Sequence, residues 1–100
     1  MPYILPHKRV ELNLALTRLK QVLLDMSDGT DDDGNLNYVI TNILLNSVQH
    51  RGKRYSVLNS LIGVLECAKL ELYRRIATPY EDEKIRDNGA VSALEKRLNP

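Results

Sequence analysis

The feature that most constrains the fold is an apolar stripe in the second half of the chain, over residues 57–77. Its large apolar side chains recur every three or four residues, the spacing of one α-helix face. They are Leu58, Leu61, Ile62, Leu65, Leu72 and Ile76. This face must pack against other protein to leave water. At 1.5 Å per residue the helix would be about 30 Å long, close to the width of a small domain, so we expect it to be the central element of the fold.

Two earlier stretches repeat this apolar spacing. Helix one is predicted to begin at Pro6, since proline suits the first helical turn, and to end near Met26. Helix two is predicted to begin with Asn35 as its cap and to end at Arg51-Gly52. The segment between them, residues 28–35, is predicted to be an acidic, mobile loop, because its aspartates and glycines favour turns.

Helix three is predicted to start after a Ser56 cap and to end near Ala77. Pro79 lacks a backbone donor and biases the residue before it away from helix. A short fourth helix is predicted from Tyr80 to about Asp87, stopped by Asn88-Gly89. The tail, residues 90–100, has only a weak helical pattern and is expected to be poorly ordered.

These elements predict an all-α protein. We expect a single domain over residues 1–100, a compact helical bundle of three main helices plus a short C-terminal helix. The leucine content of helices one and three exceeds what so short a chain readily buries, so we expect it to form a homo-oligomer through helix three.

Composition excludes several classes of protein. The net charge is +1, from 14 basic and 13 acidic side chains, which gives no general attraction to nucleic acid or membrane. No apolar run approaches the length of a membrane span, and the first residues lack the pattern of a signal peptide. A cytoplasmic location is expected. The lone Cys67 fits a reducing compartment and is interpreted as a small core residue.

No motif for a metal, a cofactor or a catalytic nucleophile is found in the sequence. The acidic loop resembles a calcium loop, but Asp33 stands where the turn glycine belongs and Val39 where the bidentate glutamate belongs. His7 and His50 lack partners at metal-ligand spacing and are interpreted as surface residues. We therefore predict no metal ion, no cofactor and no catalytic residue.

Helix three carries two residues with structural or interface roles. A glycine inside a helix costs about 1 kcal/mol relative to alanine, so Gly63 suggests a close crossing of another helix. Glu66 lies beside the main apolar face, where it can pair weakly with Lys69 or more strongly with an arginine from elsewhere.

Four blocks of sequence stand out by their order and spacing: MPYILP (1–6), LNYVIT (36–41), LIGVLECAKLELYRR (61–75) and PYEDEKI (79–85), the last followed by Asn88-Gly89. In these blocks, over most of its length, the chain resembles a family of short uncharacterised bacterial and phage proteins known as a domain of unknown function. Residues 28–35 and the tail after Val91 depart from that pattern. The resemblance implies a bacterial or phage origin, with the host cytoplasm as location for a phage protein, and it implies no activity.

Polar residues near the ends of helices two and three form the candidate ligand site. Its residues are Tyr38, Tyr73, Arg74, Arg75, Tyr80 and Glu81. If the two helix ends met, their tyrosines and arginines would form a pocket suited to a phosphate, a carboxylate or a nucleotide. In the alternative interpretation the arginines complement the helix dipole and pair with Glu81 and Asp82 to fix a turn at Pro79.

Two functional classes stay open. The first is a non-enzymatic, self-associating binding protein whose partner is a host protein or a small anionic, nucleotide-like ligand, as a phage would use to counter host defence. The second is a small enzyme with Glu66 and Glu71 assembled across an oligomer interface. The first is favoured, because these two glutamates are five residues apart and do not share a helix face.

Overall fold

The computed structural model describes residues 2–98, and every regular element in that range is helical, which confirms the all-α prediction. The elements are α1 (Pro6–Met26), α2 (Asp32–Arg51), α3 (Tyr55–Leu72), a π-helical segment (Tyr73–Ala77), α4 (Thr78–Asn88) and α5 (Ala93–Leu98). The chain forms two compact units that divide between Val64 and Leu65, within α3. A single domain over the whole chain stays a prediction. Within residues 2–98, no helix has the length and apolar character to cross a membrane.

Helix α1 has the predicted bounds. It begins at Pro6, where the missing N–H would have no helical partner, and it ends where the Ser27 N–H bonds to the Leu24 carbonyl at 3.2 Å. Both ends of α1 are therefore set by local residues and backbone bonds at those ends.

Helix α2 begins earlier than predicted, at Asp32, so Asn35 lies inside its first turns and does not cap it. The carboxylates of Asp32 and Asp33 occupy the first turn, where the positive end of the helix dipole favours anions. The Ser27 hydroxyl also donates to Asp32 Oδ2 at 2.8 Å, which links the end of α1 to this turn. The non-helical part of the acidic segment is thus shorter than residues 28–35, and its mobility stays a prediction.

The link between α2 and α3 is as short as predicted. Gly52 ends α2 with a positive φ of 97°, and its N–H bonds to the Val48 carbonyl at 2.8 Å. Helix α3 then begins at Tyr55, and the Leu58 N–H bonds to the Arg54 carbonyl at 3.0 Å. The predicted cap Ser56 therefore lies within the helix, a shift of the boundary toward the N-terminus.

The first unit has a small core. Val57 and Leu61, one turn apart on α3, are its buried apolar residues, with 3% and 8% of their surfaces exposed. Helix α1 contacts α2, and the half-buried apolar residues of these helices keep helical spacing. They are Leu19, Val22 and Leu23 of α1 and Val39, Leu44 and Val48 of α2. Most other large apolar side chains in the described residues stay exposed.

The second unit shows that the predicted end of helix three at Pro79 was wrong. The backbone stays helical from α3 through the π-helical segment into α4, and the Thr78 N–H bonds to the Tyr73 carbonyl five residues earlier. A proline ring clashes with the carbonyl four residues before it in a regular α-helix. We infer that the wider π turn relieves this clash, so Pro79 stands in the first turn of α4 instead of ending a helix.

The end of α4 and the tail follow local signals. Gly89 ends α4 with a φ of 87°, as predicted for Asn88-Gly89. In the tail, Glu95 Oε2 accepts the Val91 N–H at 3.1 Å, which orders the start of α5. The weak helical pattern of the tail corresponds to α5, and the poor order expected of residues 90–100 stays a prediction. The last two positions of the tail, 99 and 100, lie outside the described residues.

Candidate functional site

The π-helical segment aligns two of the predicted site residues. Residues eight apart on a regular α-helix point about 80° apart. A π turn uses more residues per turn, which removes much of this offset. The Tyr73 hydroxyl consequently reaches Glu81 on α4 and donates a hydrogen bond of 3.1 Å to its Oε2.

This bond changes the proton affinity of the tyrosine. The hydrogen bond to the Glu81 carboxylate, and then the negative charge of that carboxylate, raise the pKa of Tyr73 above its usual value of 10.0. The phenol therefore stays protonated and donates to Glu81 throughout the physiological range. The pair ties the residue that begins the π turn to the helix that follows it.

The two arginines at this turn have different surroundings. Arg74 Nη2 donates to both carboxylate oxygens of Glu71 at 3.2 Å, an ion pair on adjacent helical turns. The Arg75 side chain is exposed and forms no ion pair or hydrogen bond with the described part of the chain. The alternative interpretation has Arg74 and Arg75 complement the helix dipole and pair with Glu81 and Asp82 to fix a turn at Pro79. Two parts of it are wrong: Arg75 pairs with neither acid, and the backbone continues as a helix through the proline.

Tyr80, the second predicted ring of the cluster, faces a cation on its own helix. The Lys84 ammonium lies 5.3 Å from the centre of the ring, one turn later on α4, within the range of a cation–π interaction. The ring remains more than half exposed, at 57%. Lys84 thus adds an ammonium group to the same unit as Arg75.

Tyr38 belongs to the other unit. It lies on α2, with 71% of its surface exposed, beside a shallow surface cavity of about 660 Å³ lined also by Asn37, Thr41 and Asn42. Two hydrogen bonds along the helix hold these polar groups: Thr41 Oγ1 to Asn37 Oδ1 at 3.0 Å, and Asn42 Nδ2 to the Tyr38 carbonyl at 2.8 Å. A pocket that joins Tyr38 to the arginines stays a prediction.

The remaining predicted residues lie on α3. Glu66 accepts a bond from Lys69 at 3.3 Å, the weak local pair expected of it. No heavy atom of the described chain beyond the local backbone lies within 4 Å of a Cβ built on Gly63, so no segment of the same chain makes the predicted close crossing. The interpretation of Cys67 as a core residue was wrong, because its side chain is exposed.

A further cavity escaped the sequence analysis. It lies in the first unit between the end of α1 and the start of α2, with a volume of about 450 Å³. Its lining is Lys20, Leu23, Leu24, Ser27, Asp32, Asn35 and Leu36. The sequence signal that could have indicated this cavity is the set of leucines on either side of the short acidic link: Leu23 and Leu24 before it, and Leu36 after it. It was missed because the predicted loop reached to residue 35.

The described residues hold no group of three or more His, Cys, Asp or Glu side chains placed to bind a metal ion. The arrangement in the second unit is instead one of short-range polar pairs along a continuous helix. Chemically, it can offer an exposed guanidinium, an ammonium and two tyrosine rings to a partner.

These features define a small all-α protein with exposed apolar helix faces in residues 2–98. The chain belongs to the family of the domain of unknown function DUF6899, whose family model matches residues 1–91. No curated protein and no solved structure matches the chain.

Proposed function

We propose that this protein is a small, non-enzymatic, self-associating helical binding protein of phage or bacterial origin. Its copies pack through α3 and complete a compact helical bundle, and the assembly binds a host protein or a small anionic ligand. The observation that carries the proposal is the exposure of the apolar stripe of α3.

Most of the apolar stripe on α3 is exposed in the part of the chain that the structure describes, residues 2–98. Beyond the buried Val57 and Leu61, Ile62 is 65% exposed and Val64 is 54% exposed. Leu58, Leu65, Leu70 and Leu72 are also exposed. Burying apolar surface contributes about 25 cal/mol per Å², so several such side chains favour association. A second copy supplies the same apolar stripe, which suits a symmetric interface.

Gly63 lies in the middle of this stripe, between Ile62 and Val64, with open space above its backbone. A residue without a side chain lets another helix approach closely. Close packing of a second copy at this position would offset the helix stability that the glycine costs. This supports α3 as the site of contact between copies.

The charged groups near the π turn support an anionic partner. The Arg75 side chain is exposed and has no ion-pair or hydrogen-bond partner in the described residues, and Lys84 lies on α4, one turn after Tyr80. A guanidinium fork suits phosphate and carboxylate groups. The acids of the alternative enzyme hypothesis are engaged elsewhere: Glu66 binds Lys69, and Glu71 binds Arg74. A binding function is therefore preferred to a catalytic one.

Sedimentation equilibrium at micromolar concentration tests the proposal. We expect a mass that is a multiple of the 11.4 kDa chain and that falls toward the monomer for Ile62→Glu, because a buried carboxylate opposes the contact. Val91→Glu is the matched control, since Val91 is 97% exposed and lies outside the helices. A wild-type mass of 11.4 kDa across the concentration range would reject self-association.

A further inference from the structure

The cavity between α1 and α2 is lined by both apolar and polar residues. Leu23 is half-buried, while Leu24 and Leu36 are 69% and 49% exposed. Lys20, Ser27, Asp32 and Asn35 contribute the polar groups. Its volume of about 450 Å³ lies within the range of ligand-sized pockets, roughly 300–1,000 Å³. Such a cavity can receive large apolar side chains from a partner.

The segment that joins α1 to α2, next to this cavity, is negatively charged. Residues 21–50 contain no Lys or Arg but contain Asp25, Asp28, Asp31, Asp32 and Asp33. Among the lining residues, Lys20 is the single cation and Asp32 the single anion. Carboxylates placed along a segment of this length attract a partner that carries several cations, not one.

The hydrogen bonds of these aspartates come from uncharged groups. Asp25 accepts from the Gln21 amide, Asp28 from Thr30 and Asp32 from Ser27, which are neutral donors. The bonds from Thr30 also lower the pKa of Asp28, so its carboxylate stays ionised. None of the five aspartates forms an ion pair with a residue in the range 2–98. Their attraction therefore remains available to a partner.

We propose that this cavity is the docking site for a basic amphipathic helix of a partner protein. A helix presents apolar side chains and cations on neighbouring faces, three or four residues apart. Its leucine-like side chains enter the cavity over Leu23, Leu24 and Leu36, while its Lys and Arg side chains face the aspartates. This docking uses other residues than the α3 contact, so either proposal can fail without the other.

A fluorescein-labelled model peptide of leucine and lysine, about four helical turns long, is the probe. Fluorescence anisotropy with the full chain should show binding that weakens as salt is raised. A leucine–glutamate peptide of the same pattern should not bind. Absence of binding by the basic peptide, or equal binding of both peptides, would overturn the proposal.

Paired variants locate the site. Leu24→Ser should weaken binding of the basic peptide about tenfold, from the loss of buried apolar area. Leu14→Ser on the same helix should leave it unchanged, since Leu14 is similarly exposed, at 71%, but lies outside the cavity. Equal effects of the two substitutions would contradict the assignment.

Two double variants test the role of the aspartates, and each of them removes two negative charges. The double variant Asp31→Asn and Asp33→Asn, which keeps three of the five aspartates, should show a clearly reduced salt dependence, whereas Asp82→Asn with Glu83→Gln on α4 should keep it. Circular dichroism should show the same helicity for all variants. If instead the basic peptide fails to bind while Leu24→Ser lowers the sedimentation mass, the cavity is a contact between copies and the proposal is wrong.

Discussion

Tyr73 and Glu81 are eight residues apart, yet the hydroxyl of the first lies 3.1 Å from the carboxylate of the second. In a regular α-helix their directions would differ by about 80°. The π-helical segment Tyr73–Ala77 brings the two side chains to one side of the helix. The presence of this hydrogen bond therefore indicates that residues 73–77 adopt the π-helical geometry.

Replacing Glu81 should return the proton affinity of Tyr73 to normal. In Glu81→Gln the hydrogen bond to a carboxylate and the nearby negative charge are both lost, so the pKa of Tyr73 should fall toward 10.0. Ultraviolet titration of the tyrosines, with Tyr73→Phe subtracted to isolate this residue, measures the change. An unaltered titration curve for Tyr73 would contradict the bond.

The same pair predicts a pH dependence of stability. The folded chain holds the Tyr73 proton more tightly than the unfolded chain, whose pKa is the usual 10.0. The contribution is therefore complete below that pH and is lost as the pH rises through the raised pKa. Chemical unfolding between pH 9 and 12 should show a decline that is smaller in Tyr73→Phe.

Pro79→Ala should convert the π turn toward regular α-helix. The substitution restores a backbone donor and removes the ring that the wider turn accommodates. We expect a higher melting temperature together with loss of the Tyr73–Glu81 bond, because the two side chains rotate apart. Backbone chemical shifts of residues 73–77 and the titration of Tyr73 give the two readouts. A retained π turn in the variant would show that the proline is not its cause.

Substitutions at Gly63 should affect the monomer and the assembly differently: alanine should stabilise the single chain, whereas leucine should disrupt the contact between copies. No described atom outside the local backbone obstructs a Cβ there, so Gly63→Ala should stabilise the dilute chain by about 0.5–1 kcal/mol. Gly63→Leu should lower the mass seen in sedimentation, because the bulk prevents a close helix crossing.

Gly34, which lies inside α2 with equally open surroundings, provides the matched control for Gly63. Gly34→Ala should stabilise the chain similarly, and Gly34→Leu should leave the mass unchanged. A loss of mass in both leucine variants would show a general effect of the substitution, not a crossing at Gly63.

The two neighbouring arginines should behave differently when each is replaced. Arg74→Ala removes the cation bound to the half-buried Glu71 and should cost about 0.3–1 kcal/mol. Arg75→Ala should leave thermal stability nearly unchanged and should weaken any anion binding. Calorimetric titration with nucleotides and inorganic phosphate at low and moderate salt, beside thermal unfolding, separates the two roles. Absence of heat with the wild-type chain would reject the anionic ligand and leave a protein partner.

Local sequence determined the helical class and several boundaries. Pro6 starts α1, and Gly52 and Gly89 end α2 and α4, because helix ends depend on the backbone freedom and donors of the residues at the end itself. The Lys69–Glu66 pair was also predictable from spacing alone. These features need no knowledge of distant residues.

Features that depend on three-dimensional geometry were decided by the structure alone. The helix continues past Pro79 because the backbone before it widens into a π turn. The same π turn brings Tyr73 within hydrogen-bond distance of Glu81. The exposure of Cys67 and the cavity beside Leu36 depend on which helix faces meet. Spacing along one helix shows that a face is apolar, but only packing decides which part of that face is covered.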